Sequence, residues 1–466
     1  MKQPSSIKKA SLPYVLLKVT VLCLSCIKLL PASIITVVPP EPSILTATLL
    51  TQHGHFFDAI LINENNELIV LYAKAFGTSQ HLSLYRNIDS DSPSKTYTVN
   101  LSENLGIVKH GSIPGSGRVL TMRSSALPNS DCLFFYFFQG EDSSIYQWSY
   151  NTKKTNNHWQ LGFDHSVRDL IHTKENLLVT AASEQLKFFN LNNPDPLPIS
   201  TTFKINENEI DPGVKKFIVL PNGKIASLHS HRYHFSLKEN DNQPKSYSTV
   251  HIWRKPGKLT NKSVVPEETL STERSIQADG FISNLIPSDS SWFITTHNPP
   301  FGPGSVQMHR WDGSGEKISF FHEEEHHLTE ALSEPRVIAL NTSVVAATAF
   351  DTELHDDQYY GENDRLLYLW SVTDPRSPDI IKGIGNKKIT DLLRLDDQHI
   401  AIVDEAGIIT VIHYQTPGAA RITRRFTLGH NAVADKLLSS RNQSIIVVAE
   451  NGIYRIPKKQ WEKQSQ

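Results

Sequence analysis

The chain has 466 residues, a formal charge of -2, 39% hydrophobic and 9% aromatic residues. That composition suits a folded globular protein and excludes a disordered one, and the balanced charge leaves no global electrostatic footprint for nucleic acid, so none is expected as a partner. The length exceeds what one compact core usually holds, which points to a modular core, and 26 prolines and 23 glycines scattered between apolar runs fit a turn-rich all-β chain.

Residues 1–10 carry Lys2, Lys8 and Lys9 and no acid, and residues 15–30 are strongly apolar apart from Lys18 and Lys28. A basic start followed by an apolar core has the layout of a secretory signal peptide or an uncleaved anchor. Residues 1–38 are therefore read as a targeting or anchoring segment. This implies a secreted, periplasmic or membrane-anchored location, with membrane contact through residues 11–38. Cys23 and Cys26 lie in this segment and Cys132 in a strand-like run, so no disulfide framework is evident. Residues 39–43 open with Pro39-Pro40-Glu41-Pro42, a stiff spacer. Residues 44–50, ILTATLL, read as one isolated strand.

Residues 166–191, SVRDLIHTKENLLVTAASEQLKFFNL, hold the pattern that the rest of the chain repeats. Short runs of β-formers bounded by polar turns read as antiparallel strands. Three strands this short cannot bury a face alone, so the unit needs copies of itself. Copies occur at 57–85, 119–148, 214–253, 281–311, 337–370, 389–414 and 433–456, making eight sets, with seven as the alternative count. A weaker fourth strand follows most sets, as at 96–101, 201–205, 318–321 and 422–428. The third run ends four times in tryptophan, at Trp148, Trp253, Trp311 and Trp370. A bulky ring at this place is suited to filling the wedge between radially stacked sheets.

These marks resemble the WD40-like β-propellers. Trp311-Asp312 is a WD dipeptide, Gly429-His430 looks like the GH that opens a WD40 repeat, and Asp169 and Asp391 supply a polar residue entering the first strand. The Asp expected before the third strand is met only by Glu184 or Glu405, so the family's internal hydrogen-bond tetrad is not carried over. The resemblance implies an all-β propeller of eight, alternatively seven, four-stranded antiparallel blades over residues 44–457. Residues 44–50 would close the ring as the outer strand of the last blade, which leaves only short outer edges. Residues 458–466 read as a polar tail.

In such propellers the loops joining strands two and three share one face with the links between blades. Long stretches of this kind gather on blades four to six, at 229–248, 255–280, 297–304, 322–335 and 351–365. Loops on a rigid scaffold are where binding residues accumulate. The expected binding residues are His229, His231, His297, His322, His326, Asp356 and Asp357. His322-Glu323-Glu324-Glu325-His326 matches H-E-x-x-H, a spacing that on a helix puts two imidazoles on one face for Zn²⁺. Its successive glutamates oppose a buried metal helix, so an acidic solvated loop is the plainer reading and no metal site is assigned; His322 and His326 stay as weak candidate ligands. No nucleophile elbow, Walker loop or dinucleotide fingerprint appears in a suitable setting.

The sequence thus points to a non-enzymatic interaction scaffold without a cofactor, binding a protein or peptide through blades four to six. A metal-dependent hydrolase with a His-rich site on that face is the alternative.

Overall fold

A computed structural model describes residues 44–462, except 53–54, 63–65, 74–79, 91, 102–117, 125–131, 140–141, 161–168, 174–175, 182–184, 193–198, 203–212, 221–222, 232–246, 254–271, 280, 289–291, 299–304, 311–316, 321–335, 351–364, 386 and 430–431. The described residues hold 33 strands, β1 to β33 in chain order, in eight sheets. The expected eight blades are present, and seven are excluded.

Blade seven shows how the sequence makes one blade. Its strands are β27 (Ile389–Arg394), β28 (His399–Asp404), β29 (Ile408–His413) and β30 (Arg421–Thr427), hydrogen-bonded in that order. Strand β28 reads HIAIVD, almost unbroken in apolar character, because both of its faces are covered. Ile400 and Ile402 enter a core shared with blade six, and Ala401 and Val403 one shared with blade eight. The period of two thus feeds alternate side chains to opposite neighbours. Adjacent blades elsewhere share cores in the same way, for example Ile69 and Leu71 with Leu133 of the next blade. Among the described residues the hydrophobic core is a set of wedges between blades, which avoids one oversized interior.

Trp148 and Trp370 fill two of these wedges, both with no exposed surface. Trp148 lies between blades one and two, and Trp370 packs 5.9 Å from Phe320 of blade five. Trp253 ends β17 (Tyr247–Trp253) as expected, while Trp311 lies outside the described residues.

The first strands line the centre. They are β3 (His55–Ile62), β7 (Arg118–Ser124), β11 (Asp169–His172), β15 (Gly213–Val219), β19 (Phe281–Pro287), β23 (Val337–Asn341), β27 and β31 (Ala434–Ser439). Each touches the next, and β31 touches β3, so the circle is complete.

The ends of the described chain meet at blades seven and eight. The single strand expected over 44–50 is two strands. β1 (Ile44–Thr46) runs parallel to β30 as a fifth strand of blade seven. β2 (Thr48–Gln52) runs antiparallel to β33 (Gly452–Ile456) as the outer strand of blade eight. Ala47 between them is buried, and its N–H donates to the Thr427 carbonyl at 2.9 Å. After Pro457 the expected polar tail instead starts with a helical turn, α1 (Lys458–Trp461). Trp461 is buried against blades seven and eight, and its indole N–H donates to the Gln443 carbonyl at 2.9 Å. A single apolar ring in a charged stretch carries too weak a period to show in sequence.

Two further strands leave little trace in the sequence. β26 (Asp374–Ile381) contains Pro375 and Pro378, which an outer edge tolerates because one side of it needs no N–H donors. β18 (Thr272–Asp279) is the fourth strand of blade four and is mostly polar.

Candidate interaction surface

Strand ends assign each connection to a face of the disc. Strand two ends and strand three starts on one face, the upper, where strand four also passes to the next blade. The turns between strands one and two, and three and four, lie on the lower face. β16 (Ile225–His231) leads to β17, β20 (Trp292–Asn298) to β21 (Ser305–Arg310), and β24 (Val344–Phe350) to β25 (Arg365–Ser371), all across the upper face. β22 (Lys317–Phe320) passes to β23 on the same face. The stretch at 255–280 divides differently from expectation. Most of it joins β17 to β18, on the lower face, and only Gly280 links blades four and five.

The expected binding residues scatter accordingly. His229 lies within β16, not in a loop, and is 2% exposed. Its Nε2 shares a 2.8 Å hydrogen bond with the Ser227 hydroxyl, and its ring meets His251 edge-on at 4.6 Å. This is a satisfied core histidine, and His309 makes the same kind of bond to Thr295 at 2.9 Å in blade five. His231 and His297 lie at or next to the upper ends of β16 and β20, opposite Tyr247 and Ser305. His322, His326, Asp356 and Asp357 lie outside the described residues. Among the described residues no three His, Cys, Asp or Glu side chains gather in a metal-binding arrangement, and no helix is long and apolar enough to cross a membrane.

A ring of polar positions on the first strands is only half legible in the sequence. In six first strands the ladder slips by one residue near the upper end, a β-bulge that shifts the residue after it. The residues following the bulge are Asp58, Thr121, Lys216, Asn284, Asp391 and Lys436; Asp169 and Arg336 hold the matching places in blades three and six. Read around the circle, no two neighbouring positions carry the same charge. Lys216 donates to Asn284 Oδ1 of the next blade. Asp391 Oδ2 accepts the Leu437 N–H of blade eight at 2.8 Å, and Lys436 donates to the Ala59 carbonyl of blade one at 2.8 Å. Burial pushes the Asp391 carboxyl up, while the Leu437 N–H, Arg336, the Leu392 N–H and Lys436 pull it back. The sequence reading marks Asp169 and Asp391; Asp58 is a third aspartate at this place, and the other five positions differ in residue type and show no motif.

Next to this ring on the upper face, desolvation and then the charge of Glu450 push the Asp435 carboxyl up to about 6. In blade seven, Asp404, not Glu405, occupies the turn before the third strand. It has no exposed surface, and its Oδ1 accepts the Ile408 N–H at 2.8 Å. Gly407 completes that turn at φ +71°, where an added Cβ would lie 2.5 Å from the Ala432 carbonyl oxygen. On the lower face, His399 Nδ1 is held by Asp396 at 2.9 Å, and its ring lies 4.8 Å from His413 and 5.3 Å from Trp461.

No protein-family model matches the chain, and no curated protein matches it in sequence. Solved structures do match in fold. The structure of the Dos1 propeller superposes with a TM-score of 0.58 at 12% identity, over 89% of this chain and 94% of that one. Sqt1 from Chaetomium thermophilum superposes with a TM-score of 0.56 at 10% identity, over 88% of this chain and 98% of that one. A second crystal structure of the same Sqt1 gives 0.55 at 10% identity, over 88% and 97%. Likeness of this extent at this identity establishes architecture and nothing finer. The chain has the fold of an eight-bladed β-propeller.

Proposed function

We propose that the chain is a non-enzymatic interaction scaffold that binds a protein or peptide on the upper face of blades four to six. It works in an exported or membrane-tethered setting given by residues 1–38. One observation carries the reading. The connections at 232–246, 299–304, 321–336 and 351–364 all leave strands that end on the same face of three consecutive blades. A rigid disc holds the stems of those loops fixed, so a partner meets a surface with little ordering left to do. His231 and His297, at the stems, stand with His322, His326, Asp356 and Asp357 as the contact residues of this reading.

The test is affinity capture with the intact chain and with a chain whose residues 322–334 are replaced by a Gly-Ser linker of equal length. Loss of one reproducible partner, with an unchanged melting temperature, supports the reading. Unchanged capture sinks it, as does stoichiometric Zn²⁺ that disappears in His322→Ala. The mass of the mature N-terminus and the partition of the chain between membrane and soluble fractions test the setting separately.

A further inference from the structure

We propose that α1 is an acid-released latch on the seam between blades seven and eight. With neutral imidazoles Trp461 is seated on His399, which lies in turn against His413. Once both rings carry a proton, the helical turn lifts and uncovers the seam.

The seat is built at the lower rim of blade seven. His399, His413 and Arg421 are aligned as partners across β28, β29 and β30. Ala401 and Val411, two residues further along β28 and β29, belong to the wedge shared with blade eight, so both histidines face that wedge. The same wedge holds Trp461 from one end of the described chain and Ala47 from the other, so the latch sits where the ring is closed. The His399 ring centre lies 4.8 Å from that of His413 and 5.3 Å from that of Trp461.

The two imidazoles differ in where a proton finds a counter-ion. Both carboxylate oxygens of Asp396 lie 2.9 Å from His399 Nδ1, so a proton on His399 is met at once. Asp396 Oδ1 already accepts the Gln398 and His399 N–H groups as well. Among the described residues no acid bonds to His413, which is 8% exposed and has Arg421 as its partner on the far side. Burial, then the charges of His399 and Arg421, hold the His413 imidazole below its ordinary value of 6.5, with Asp396 opposing. His413 therefore favours the seated form fully above 6.5 and progressively less as pH falls below it.

The surrounding charges do not absorb a second proton. Arg394 pairs with Asp397 and Lys458 with Glu462, while Asp89 of blade one accepts from Ser440 in the turn after β31. Arg441 on that turn and Lys459 on α1 are exposed. The rim is close to balance with neutral imidazoles, and two added protons tip it to an excess of positive charge. The helical turn is the part that yields. It is four residues long, its first turn holds no acid, and Pro457 supplies no side-chain cap. Beyond the seat itself, the Trp461 indole N–H and the Lys458 ammonium hold it, both to Gln443.

The experiment uses the full chain labelled with fluorotryptophan. The Trp461 resonance, one of seven, is assigned by its absence from Trp461→Phe. Fluorine NMR in light and heavy water, from about pH 8 to about pH 5, reports solvent access. The expected result is a Trp461 signal that becomes solvent-exposed below pH 6.5 while the other tryptophans keep theirs, the open-to-closed ratio rising by up to about tenfold per pH unit. In His413→Gln the signal stays buried over the whole range. Arg421 is exposed, so Arg421→Gln keeps the fold and carries the test even where His413→Gln fails to fold. It eases the proton onto seated His413 and lowers the ratio at the acid end a few-fold. A Trp461 signal that stays buried in the unaltered chain overturns the latch. So does one that opens equally in the folded variants, or one that moves only together with the remaining tryptophans.

Discussion

The carboxylate of Asp391 in blade seven accepts the backbone N–H of Leu437 in blade eight at 2.8 Å while its other oxygen accepts the Leu392 N–H at 2.9 Å. One side chain thereby fixes the bulge of its own strand and the register of the next blade. Asp391→Ala leaves a buried N–H without its acceptor, so the expected loss is about 1–3 kcal/mol of unfolding free energy. Asp391→Asn keeps one acceptor oxygen and loses less. Chemical denaturation of both variants checks the order.

Asp435 sets a pH dependence with a definite sign. Its folded pKa of about 6 lies above the ordinary carboxyl value of 3.8. The folded chain therefore holds the proton more tightly, so this group's contribution is full below the unfolded pKa and is lost as pH rises through about 6. Asp435→Asn is expected to raise the melting temperature at neutral pH, to change it little near the ordinary carboxyl pKa, and to flatten the profile between. A melting curve series over that range is the measurement, with Glu450→Gln expected to recover only part of the effect.

Trp461 should behave as a core residue despite its place close to the C-terminal end of the sequence. It packs in the wedge shared by blades seven and eight and against His399. Trp461→Ala is expected to cost about 3 kcal/mol or more, the range for removing a buried aromatic. Thermal unfolding of the point variant is the measurement. Trp461→Phe should retain most of the stability while losing the bond to the Gln443 carbonyl.

His229 separates a packing role from a binding one. It is buried and bonded to Ser227. His229→Ala is expected to destabilise the chain by about 1–3 kcal/mol through a lost hydrogen bond and a cavity, with partner capture by the folded fraction unchanged. Capture that falls while the melting temperature holds would place His229 at the interface instead.

The blades are legible because their core is local in pattern. Runs such as LIVLYA and IIVVA are strongly apolar, and short turns separate strands of this kind. Proline-bearing β26 and polar β18 are not, because an outer strand has one free edge and demands little of its side chains. The ring positions Lys216 and Lys436 escape a reading of one repeat at a time because their partners lie one blade away. Of the expected contact residues, His229 falls in the core because an alternating polar residue near a strand end looks the same in sequence whether its face meets solvent or another blade.

Sequence alone determined the repeat, the β character and the radial stacking, since a period of two runs through the sets and several of their third strands end in an aromatic ring. Only tertiary structure decided the closure: that residues 44–46 and 48–52 divide between two blades, that Trp461 returns to the core, and that Asp391 and Lys436 bond across to the next blade. Some of those contacts join positions far apart in the chain, such as Ala59 and Lys436, and no local pattern can specify which distant backbone a side chain will meet.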